Sequence, residues 1–350
     1  MAARGRTVAG SAGGRAGGGM LHRDSRGRGA DVAARDGIGD AVRVFAPASV
    51  SNLGCGFDIF GLALERPGDE VVVRAAEGSG IVAVSVSGDG GRVPTDPERN
   101  AAALAVQGVL DRTGSETGVA IEVRKGIPLA SGLGGSAASA VAGAVAADKL
   151  LGGGLDRTAL LECAMIGERK GSGADHADNA APSLAGGFVL VLPGRPPKMV
   201  ALPTPDDLVV AIVHPAMEVE TRRARKILGD TIALEAGVEQ WGNAAGLVAG
   251  LMRSDWALIA RCMRDAVAEP VRAKLVPGFE GVRDRALAAG AVAAGLSGSG
   301  PTIFAICRGR QSAEAAARDM AGAFRDDVGV GSDIVVSSVN RDGARILECG

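Results

Sequence analysis

The 350-residue sequence contains no tyrosine, and aromatic residues make up only 3% of it. Proteins that hold single-stranded nucleic acid usually stack the bases on aromatic side chains. The formal net charge of −2 at pH 7 also gives no excess of positive charge for binding a polyanion. The two deficits predict that nucleic acid is not a partner of this protein.

Cysteine is also sparse, and no two cysteines are close in sequence. The five are Cys55, Cys163, Cys262, Cys307 and Cys349, without a CxxC pair. An odd number of scattered cysteines argues against a disulfide framework or a zinc cluster and favours a reducing compartment. We therefore predict a cytoplasmic protein, or a plastid protein if the N-terminal segment is a transit peptide.

Charge is absent from residues 126–147, which raises the question of a membrane span. The run contains several glycines and serines and one proline, so it lacks the continuous apolar character of a spanning helix. We predict a buried loop and helix here, and no membrane association.

Residues 1–40 are rich in glycine, alanine and arginine and have no hydrophobic periodicity. Such a segment buries too little apolar surface to offset its chain entropy, so it is predicted to be a disordered extension. Two alternatives stay open, namely a transit peptide and an upstream extension before a true start at Met20.

The rest of the chain mixes strand and helix patterns, which indicates an α+β fold. Residues 69–77 and 80–88 alternate and are predicted to be paired strands. A strand followed by a loop is predicted in "AVRVFAPASVSNLG" (41–54), and a strand that leads into a glycine-rich loop is predicted in "GVAIEVRKGIPLA" (118–130). Further strands are predicted at 186–193, 208–215, 301–307 and 333–339. Helices are predicted at 98–113, 136–151, 157–170, 221–228, 239–253, 255–267, 279–289 and 311–325. A proline-rich joint at 193–205 predicts a division into domains 41–205 and 206–350.

The stretch "SGLGGSAA" at residues 131–138 opens one of these helices. Glycines let backbone N–H groups approach an anion, and a helix N-terminus adds positive potential, so a phosphate cradle is one interpretation. A Walker A loop is excluded because the chain has no Gly-Lys pair. Gly132, Gly134 and Ala137 fit G-x-G-x-x-A, but "KGIPLAS" separates them from the preceding strand, which disfavours a dinucleotide loop. A structural turn stays open for the loop taken alone.

Four stretches appear in an order that resembles the GHMP kinases. They are "PASVSNLGCGFDIFGLAL" (47–64), "PLASGLGGSAAS" (128–139), "GADHADNAAPSLAGGFVLV" (173–191) and "GLSGSGPTIFAI" (295–306). Within them "SNLGCGFD" and "HADNAAP", together with "TRRAR" (221–225) and "EPVRAKLVPGF" (269–279), resemble the homoserine kinase family. The resemblance covers residues 42–345.

The resemblance implies a two-domain fold and a reaction. The N-terminal α+β domain would contain a left-handed βαβ crossover, and the C-terminal domain would be ferredoxin-like. The expected reaction is ATP-dependent phosphorylation of the side-chain hydroxyl of L-homoserine, giving O-phospho-L-homoserine for threonine biosynthesis. Mg²⁺ and a homodimer are expected on the same ground.

The resemblance also assigns residues to the nucleotide and the metal. Asn100 is either a helix N-cap or an ATP contact, and Glu168 is either surface charge or a Mg²⁺ ligand together with Ser136. The ATP-binding residues implied are Asn100, Pro128, Leu129, Ala130, Ser131, Gly132, Leu133, Gly134, Gly135, Ser136, Ala137, Ala138 and Thr221. Family loops usually read G-L-G-S-S, so Gly135 replaces the first serine, at a cost of roughly 0.5–1.5 kcal/mol if a hydrogen bond is lost.

Homoserine is a zwitterion, so its site needs an anion for the ammonium and a guanidinium for the carboxylate. By resemblance the substrate-binding residues are Asn52, Asp58, Asp178, Arg225 and Arg272, with Asp58 suited to the ammonium and the arginines to the carboxylate. Without the resemblance, Asn52 and Asp58 are equally typical turn formers.

The catalytic residues implied are Asn179, Asp178 and Arg225. Phosphoryl transfer has a loose transition state, so positioning and charge neutralisation supply most of the catalysis, and no strong general base is expected. Asp178 and Asn179 would align the hydroxyl, Arg225 would steady the phosphoryl group, and the question whether Asp178 is a base stays open. His176, Asp178 and His214 also mimic an iron site of two histidines and one carboxylate, which the many helices disfavour.

Two alternatives to this function remain from the sequence. One is another GHMP kinase, acting on a mevalonate-type or sugar substrate, and the second is a catalytically silent nucleotide-binding module. Asp58 with its two arginines disfavours the first because those substrates lack an ammonium. The Ser136 and Glu168 pair disfavours the second.

Overall fold

The computed structural model describes residues 40–171 and 176–350. The extension predicted at residues 1–40 falls almost wholly outside the described residues, because residues 1–39 are not among them. Residues 172–175, which include the start of the "GADHADN" stretch, lie outside them as well.

Eleven strands form two sheets in the described part of the chain. They are β1 (Ala41–Asn52), β2 (Gly56–Ala76), β3 (Ile81–Ser87), β4 (Gly118–Arg124), β5 (Phe188–Leu192), β6 (Lys198–Leu202), β7 (Leu208–Pro215), β8 (Ala293–Leu296), β9 (Ile303–Arg308), β10 (Ser332–Ser338) and β11 (Arg345–Cys349).

The described part of the chain also contains ten α-helices. They are α1 (Ala101–Thr113), α2 (Gly135–Leu150), α3 (Arg157–Gly171), α4 (Ala180–Ala185), α5 (Thr221–Lys226), α6 (Leu234–Arg253), α7 (Trp256–Cys262), α8 (Glu269–Arg272), α9 (Phe279–Ala288) and α10 (Arg310–Ala323).

The first sheet has the strand order β11-β1-β2-β4-β3, with β5 paired to β2 and β6 paired to β5. In β1, Val42, Val44 and Ala46 alternate toward the core, as a half-buried strand requires. Beyond residue 46 the strand is buried throughout. Its buried end leads directly into the cavity described below.

The prediction that residues 69–77 and 80–88 pair with each other is wrong. β4 lies between β2 and β3, antiparallel to β2 and parallel to β3. β4 is mostly buried and β3 mostly exposed, which agrees with an inner position for β4 and an edge position for β3. The unit β3-α1-β4 is the βαβ unit that the resemblance implies, and the hand of its crossover stays a prediction.

Helix α2 is the central helix of the first layer and is almost entirely buried. Its alanines and Gly143 allow close packing, since a Cβ on Gly143 would lie 2.9 Å from the Ala102 carbonyl oxygen of α1. This helix contains most of the uncharged run at 126–147. No helix in residues 40–171 and 176–350 has both the length and the apolar character needed to cross a membrane.

The second sheet has the order β10-β7-β9-β8, with all neighbours antiparallel. In chain order its elements run β7, α9, β8, β9, α10, β10, so the sheet order is 4-1-3-2. This is the split βαβ arrangement of a ferredoxin-like domain, as expected.

Two further differences from the sequence-based expectation concern the middle of the chain. The proline-rich segment 193–205 contains β6, which forms a hairpin with β5 in the first sheet. The predicted helix 255–267 ends at Cys262 because the Asp265 carboxylate accepts hydrogen bonds from three following amides and forms a separate turn. The domain division between residues 205 and 206 stays a prediction, and β11 returns to the first sheet.

Candidate active site

A cavity of about 720 Å³ brings the predicted site residues together. The residues predicted from sequence that line it are Asn52, Asp58, Asn100, Pro128, Leu129, Ala130, Ser131, Gly132, Gly134, Gly135, Ser136, Glu168, Asp178, Asn179, Thr221, Arg225 and Arg272. The side chains of Leu133, Ala137 and Ala138 are buried in the core instead. Any role of these three in nucleotide binding is therefore one for their backbone.

The glycine loop forms one end of the cavity and leads into α2. Gly134 is the residue before the helix and has a φ of 68°, a conformation that favours glycine. A Cβ on Gly134 would meet the Ser49 hydroxyl and would lie 2.7 Å from Oδ1 of Asn179. The loop therefore presents bare backbone N–H groups at the N-terminus of a 16-residue helix, which is suited to an anion.

A buried ion pair beneath the loop was missed by the sequence analysis. Asp69 has no exposed surface and pairs with the Lys125 ammonium. The Asp69 carboxylate also accepts hydrogen bonds from the Gly126 amide at 3.0 Å and the Ser139 hydroxyl at 2.7 Å, while Lys125 donates to the Gly135 carbonyl at 2.8 Å. These contacts join the start of the loop to the first turn of α2. The only signal in the sequence is a lysine just before an uncharged run.

Glu168 and Ser136 form a pair beside the loop. Glu168 is 8% exposed, so it is not surface charge. Burial raises the pKa of this carboxyl, and a hydrogen bond from the Ser136 hydroxyl and the Lys125 charge oppose the rise. A buried carboxylate beside a hydroxyl at an anion-binding loop fits Mg²⁺, which takes few protein ligands and completes its shell with phosphate and water. In the described residues, no three His, Cys, Asp or Glu side chains cluster as metal ligands.

Asn100 is the N-cap of a helix and also lines the cavity. Its side-chain Oδ1 accepts a hydrogen bond from the Ala103 amide at 3.1 Å, which makes it the N-cap of α1. Its Nδ2 donates to the Pro94 carbonyl at 2.8 Å, and the residue also lines the cavity. The capping role is observed, and the nucleotide contact stays a prediction.

The opposite end of the cavity holds a cluster of charges. Both terminal nitrogens of Arg225 donate to one Asp58 oxygen at 2.8 Å. His176 lies beside the pair, with its Nδ1 3.4 Å from the same Asp58 oxygen and its Nε2 in contact with Arg225. An anion and a cation are thus already paired where the ends of an amino acid are expected to bind.

Arg272 completes this end from the second sheet's side of the cavity. It is 6% exposed, and burial lowers the pKa of its guanidinium. The guanidinium carbons of Arg225 and Arg272 each lie 5.0 Å from the centre of the Phe57 ring, so one aromatic side chain contacts both cations. Phe57 was not identified from the sequence, where it appears as one residue of a glycine-rich motif.

Asn52 and Asp58 lie on either side of the turn at residues 53–55, at the end of β1 and the start of β2, and both line the cavity. Their φ values are 70° and 61°, in the left-handed region that Asn and Asp tolerate better than most residues. Oδ1 of Asn52 accepts from the Asp58 amide at 3.1 Å, and its Nδ2 donates to the Gly298 carbonyl at 3.0 Å. Asn52 therefore holds the loop that presents Asp58.

Asp178 and Asn179 lie between the two ends. Burial, followed by the Asp58 charge, raises the pKa of Asp178 to about 7, and the Ser51 hydroxyl opposes the rise. The Asn179 amide accepts from the Ser49 hydroxyl at 2.9 Å and donates to the Ser51 hydroxyl at 3.1 Å. Ser49 and Ser51 were missed by the sequence analysis, although they alternate on β1.

His214 is not part of this site. It lies on β7, where its Nδ1 is 3.1 Å from the Thr302 hydroxyl oxygen, and it does not line the cavity. The structure therefore does not bring His214 together with His176 and Asp178.

Comparison with known proteins gives consistent matches. The family model "GHMP kinases N terminal domain" matches residues 100–187, and "GHMP kinases C terminal" matches residues 247–326. The chain is 44% identical to a homoserine kinase of Chloroherpeton thalassium, over 87% of this chain and 98% of that one. It is 43% identical to a homoserine kinase of Chlorobium phaeovibrioides, over 88% and 99% of the two chains. The chain belongs to the homoserine kinase family.

A solved structure agrees with this membership. The crystal structure of homoserine kinase from Cytophaga hutchinsonii has a TM-score of 0.84 and 46% identity, covering 88% of this chain and 98% of that one. The predicted homoserine kinase family, the two-domain GHMP fold and the phosphotransferase class are thereby confirmed. The role of each site residue remains to be proposed from the geometry.

Proposed function

We propose that this protein transfers the γ-phosphoryl group of ATP to the side-chain hydroxyl of L-homoserine, giving O-phospho-L-homoserine and ADP. The observation that carries the proposal is the single cavity with a bare glycine loop at one end and the Asp58 and Arg225 pair at the other. One end is suited to a polyphosphate and the other to a zwitterion, and both substrates of the reaction are accounted for.

The Asp58 and Arg225 pair supports the amino-acid half of the proposal. A zwitterion inserted between them replaces one ion pair by two, with its ammonium on Asp58 and its carboxylate on Arg225. Arg272 adds a second cation for the carboxylate, and Asn52 holds the Asp58 loop in place. Substrates without an ammonium, such as mevalonate or sugars, would offer Asp58 no cation in exchange for Arg225, so one of the two new ion pairs would not form.

The glycine loop supports the nucleotide half. The backbone N–H groups of residues 132–136 and the N-terminal end of α2 would bind the phosphates, while Asn100 and Thr221 line the same cavity. Lys125 and Asp69 hold the two ends of the loop from below, so the cradle is formed before the nucleotide binds.

Ser136 and Glu168 would hold Mg²⁺. The ion would neutralise charge on the phosphate oxygens, which is the chemistry that phosphoryl transfer needs from a metal. Glu168 is suited to this role because a buried carboxylate gains a cation that offsets its desolvation. Ser136 supplies a neutral oxygen beside it.

The chain's own catalytic work is mainly positioning. Asp178 lies between the two ends of the cavity, where its carboxylate can accept a hydrogen bond from the homoserine hydroxyl and aim the oxygen at phosphorus. The Ser51 hydroxyl hydrogen-bonds Asp178, and Asn179 in turn donates to Ser51, so Asn179 supports Asp178 only through Ser51. Arg225 would steady the transferred phosphoryl group, and the hydroxyl proton would leave to phosphate or solvent.

A substrate panel tests the proposal. The protein with Mg²⁺ and ATP should release ADP with L-homoserine and give far lower rates with mevalonate, galactose and L-serine. Serine is the sharpest comparison because it keeps the zwitterion and shortens the side chain by one methylene. Turnover of mevalonate without turnover of homoserine would contradict the assignment.

We also propose a cytoplasmic homodimer. Four of the five cysteines are buried free thiols, as suits a reducing compartment. On α6, Leu234, Val238 and Trp241 are exposed at i, i+4 and i+7, and Trp241 is 61% exposed. Glu235 and Glu239 at one end of α6 and Arg253 at its other end would face one another in an antiparallel pair of two copies. Sedimentation should give a dimer for the natural protein and a monomer for Trp241→Glu, and a natural monomer would contradict this.

A further inference from the structure

The turn at Ser297–Gly300 joins β8 to β9 and lies between the two ends of the cavity. Gly298 and Ser299 line the cavity, while the Ser297 side chain has no exposed surface. Hydrogen bonds from the Ser297 amide to the Thr302 carbonyl at 2.9 Å and from the Gly300 amide to the Ser297 carbonyl at 2.8 Å close the turn on itself. These two hydrogen bonds hold the turn in one conformation.

One side of this turn holds the glycine loop. The Ser297 hydroxyl donates to the Gly132 carbonyl at 2.7 Å, and the Thr302 amide donates to the Ser131 carbonyl at 3.4 Å. The two backbones are so close that a Cβ on Gly132 would lie 2.5 Å from the Ser297 carbonyl oxygen. A change in the position of the loop must therefore be passed to the turn or strain this contact.

The other side of the turn holds the amino-acid end. The Gly298 carbonyl accepts from Nδ2 of Asn52 at 3.0 Å and from Nη1 of Arg272 at 3.1 Å. The Gly298 amide donates to the Ser51 carbonyl at 3.2 Å. Through its carbonyl and its amide, Gly298 thus contacts two residues proposed to bind homoserine and also Ser51, whose hydroxyl hydrogen-bonds Asp178.

We propose that Ser297 is a positioning residue that couples nucleotide binding to homoserine binding. Its hydroxyl is the side-chain bond between the glycine loop and the peptide that holds Asn52 and Arg272. Nucleotide bound to the glycine loop fixes the position of the turn. The turn in turn fixes the positions of Arg272 and Asn52 for binding the amino acid. This coupling rests on the proposed function, because it needs both substrates in the one cavity.

The coupling is measured by calorimetry on the whole protein with Mg²⁺ and the β,γ-imido analogue of ATP. For the natural chain, the Kd of the analogue should fall by about fivefold or more when homoserine is saturating, and the Kd of homoserine should fall by the same factor when the analogue is saturating. For Ser297→Ala, both factors should drop below about twofold, while each ligand still binds alone.

Ser183→Ala is the matched control. Ser183 also has no exposed surface, and its hydroxyl donates to the Pro47 carbonyl at 2.8 Å, away from the turn. It should lose similar stability and keep the full coupling. If Ser297→Ala does not fold, Ser297→Cys keeps the volume with only a weak donor and should show the same loss of coupling.

The outcomes separate the two proposals. Coupling that survives in the Ser297 variants, coupling lost equally in Ser183→Ala, or no coupling in a natural protein that phosphorylates homoserine would each overturn the role of Ser297 alone. A natural protein that binds the analogue but neither binds nor phosphorylates homoserine would overturn the proposed function and this inference together.

Discussion

The two ends of the cavity are built from different materials. The nucleotide end is one continuous loop, residues 128–136, and it offers backbone N–H groups at the start of α2. The amino-acid end is made of charged side chains that come from distant segments, namely Asp58, Arg225 and Arg272. The nucleotide end therefore depends on positions without side chains, where backbone N–H groups can reach an anion. The amino-acid end depends on charged side chains.

The largest expected effect comes from Glu168, the charged side chain proposed to hold Mg²⁺ at the nucleotide end. Glu168→Gln removes the charge while keeping the shape, so kcat should fall by about 10²- to 10³-fold. The loss should be greatest at low Mg²⁺ and partly relieved at high Mg²⁺, as measured by ADP release during a metal titration. Full turnover at low Mg²⁺ would show that the metal is held elsewhere.

The second effect tests whether the amino-acid end binds the substrate carboxylate through a positively charged side chain. Arg272→Ala removes charge-assisted hydrogen bonds to the substrate carboxylate, which are worth about 1.5–3 kcal/mol. The KM for homoserine should rise roughly 10- to 150-fold, and the KM for ATP should change far less.

Arg223→Ala is the control for that variant, since Arg223 is exposed on α5 and does not line the cavity. It should leave both KM values unchanged. An equal rise of the two KM values in Arg272→Ala would mean that the substitution deforms the whole cavity instead of removing one contact.

The third effect tests whether the nucleotide end requires backbone without a side chain. The test introduces serine at each of two neighbouring glycines of the loop. Gly134→Ser places a side chain at a positive φ and against Ser49 and Asn179. The left-handed conformation alone costs about 1–2 kcal/mol, so the KM for ATP should rise at least roughly fivefold.

Gly135 is the matched position in the same loop. Its φ is not in the left-handed region, and a Cβ there would lie 3.3 Å from Cγ2 of Ile127 and 3.4 Å from the Lys125 ammonium nitrogen. Gly135→Ser restores the serine usual in the family, and the added hydrogen bond should lower the KM for ATP by roughly 2- to 10-fold. If both serines were equally harmful, or equally harmless, the backbone account of this loop would be wrong.

The smallest expected effect is a pH dependence of kcat/KM that arises at Asp178, between the two ends of the cavity. Because burial raises the pKa of Asp178 to about 7, kcat/KM for homoserine should rise with pH as this carboxylate ionises, by about threefold between pH 6.5 and 7.5. Asp178→Asn should be slower and should lose this part of the pH profile. A natural enzyme whose kcat/KM falls over the same range would contradict the role of the ionised form.

The same shift has a consequence for stability with a definite sign. The folded pKa of Asp178 lies above its unfolded value, about 3.9. Its contribution to stability is therefore fully present below the unfolded pKa and is lost as pH rises through about 7.

The comparison of the two ends also explains what could be predicted from the sequence. The glycine loop was predictable because its chemistry is contiguous, with three glycines and a serine beside a helix start. The family motifs then placed Asp58, Glu168 and the arginines in one site. Asp69 and Phe57 were not identified, because an acidic residue at the start of a predicted strand and a phenylalanine in a glycine-rich motif carry no local signal of their partners.

In the fold, too, features set by neighbouring residues could be predicted, and features set by residues distant in sequence could not. Most helices, such as α1 and α3, follow from periodicity and capping, and they lie within a few residues of the predicted bounds. The pairing of β3 with β4 was not predictable from alternation, because alternation identifies a strand without its neighbour. The β6 strand was hidden by the prolines beside it.

The most direct test of the account is the identity of the product. The protein should be incubated with Mg²⁺, ATP and L-homoserine, and the products read by ³¹P NMR with coupling to carbon-bound protons. The account predicts ADP and a new phosphate monoester coupled to the side-chain methylene of homoserine, in equal amounts. ADP with inorganic phosphate alone, or a phosphate on the carboxylate, would contradict it.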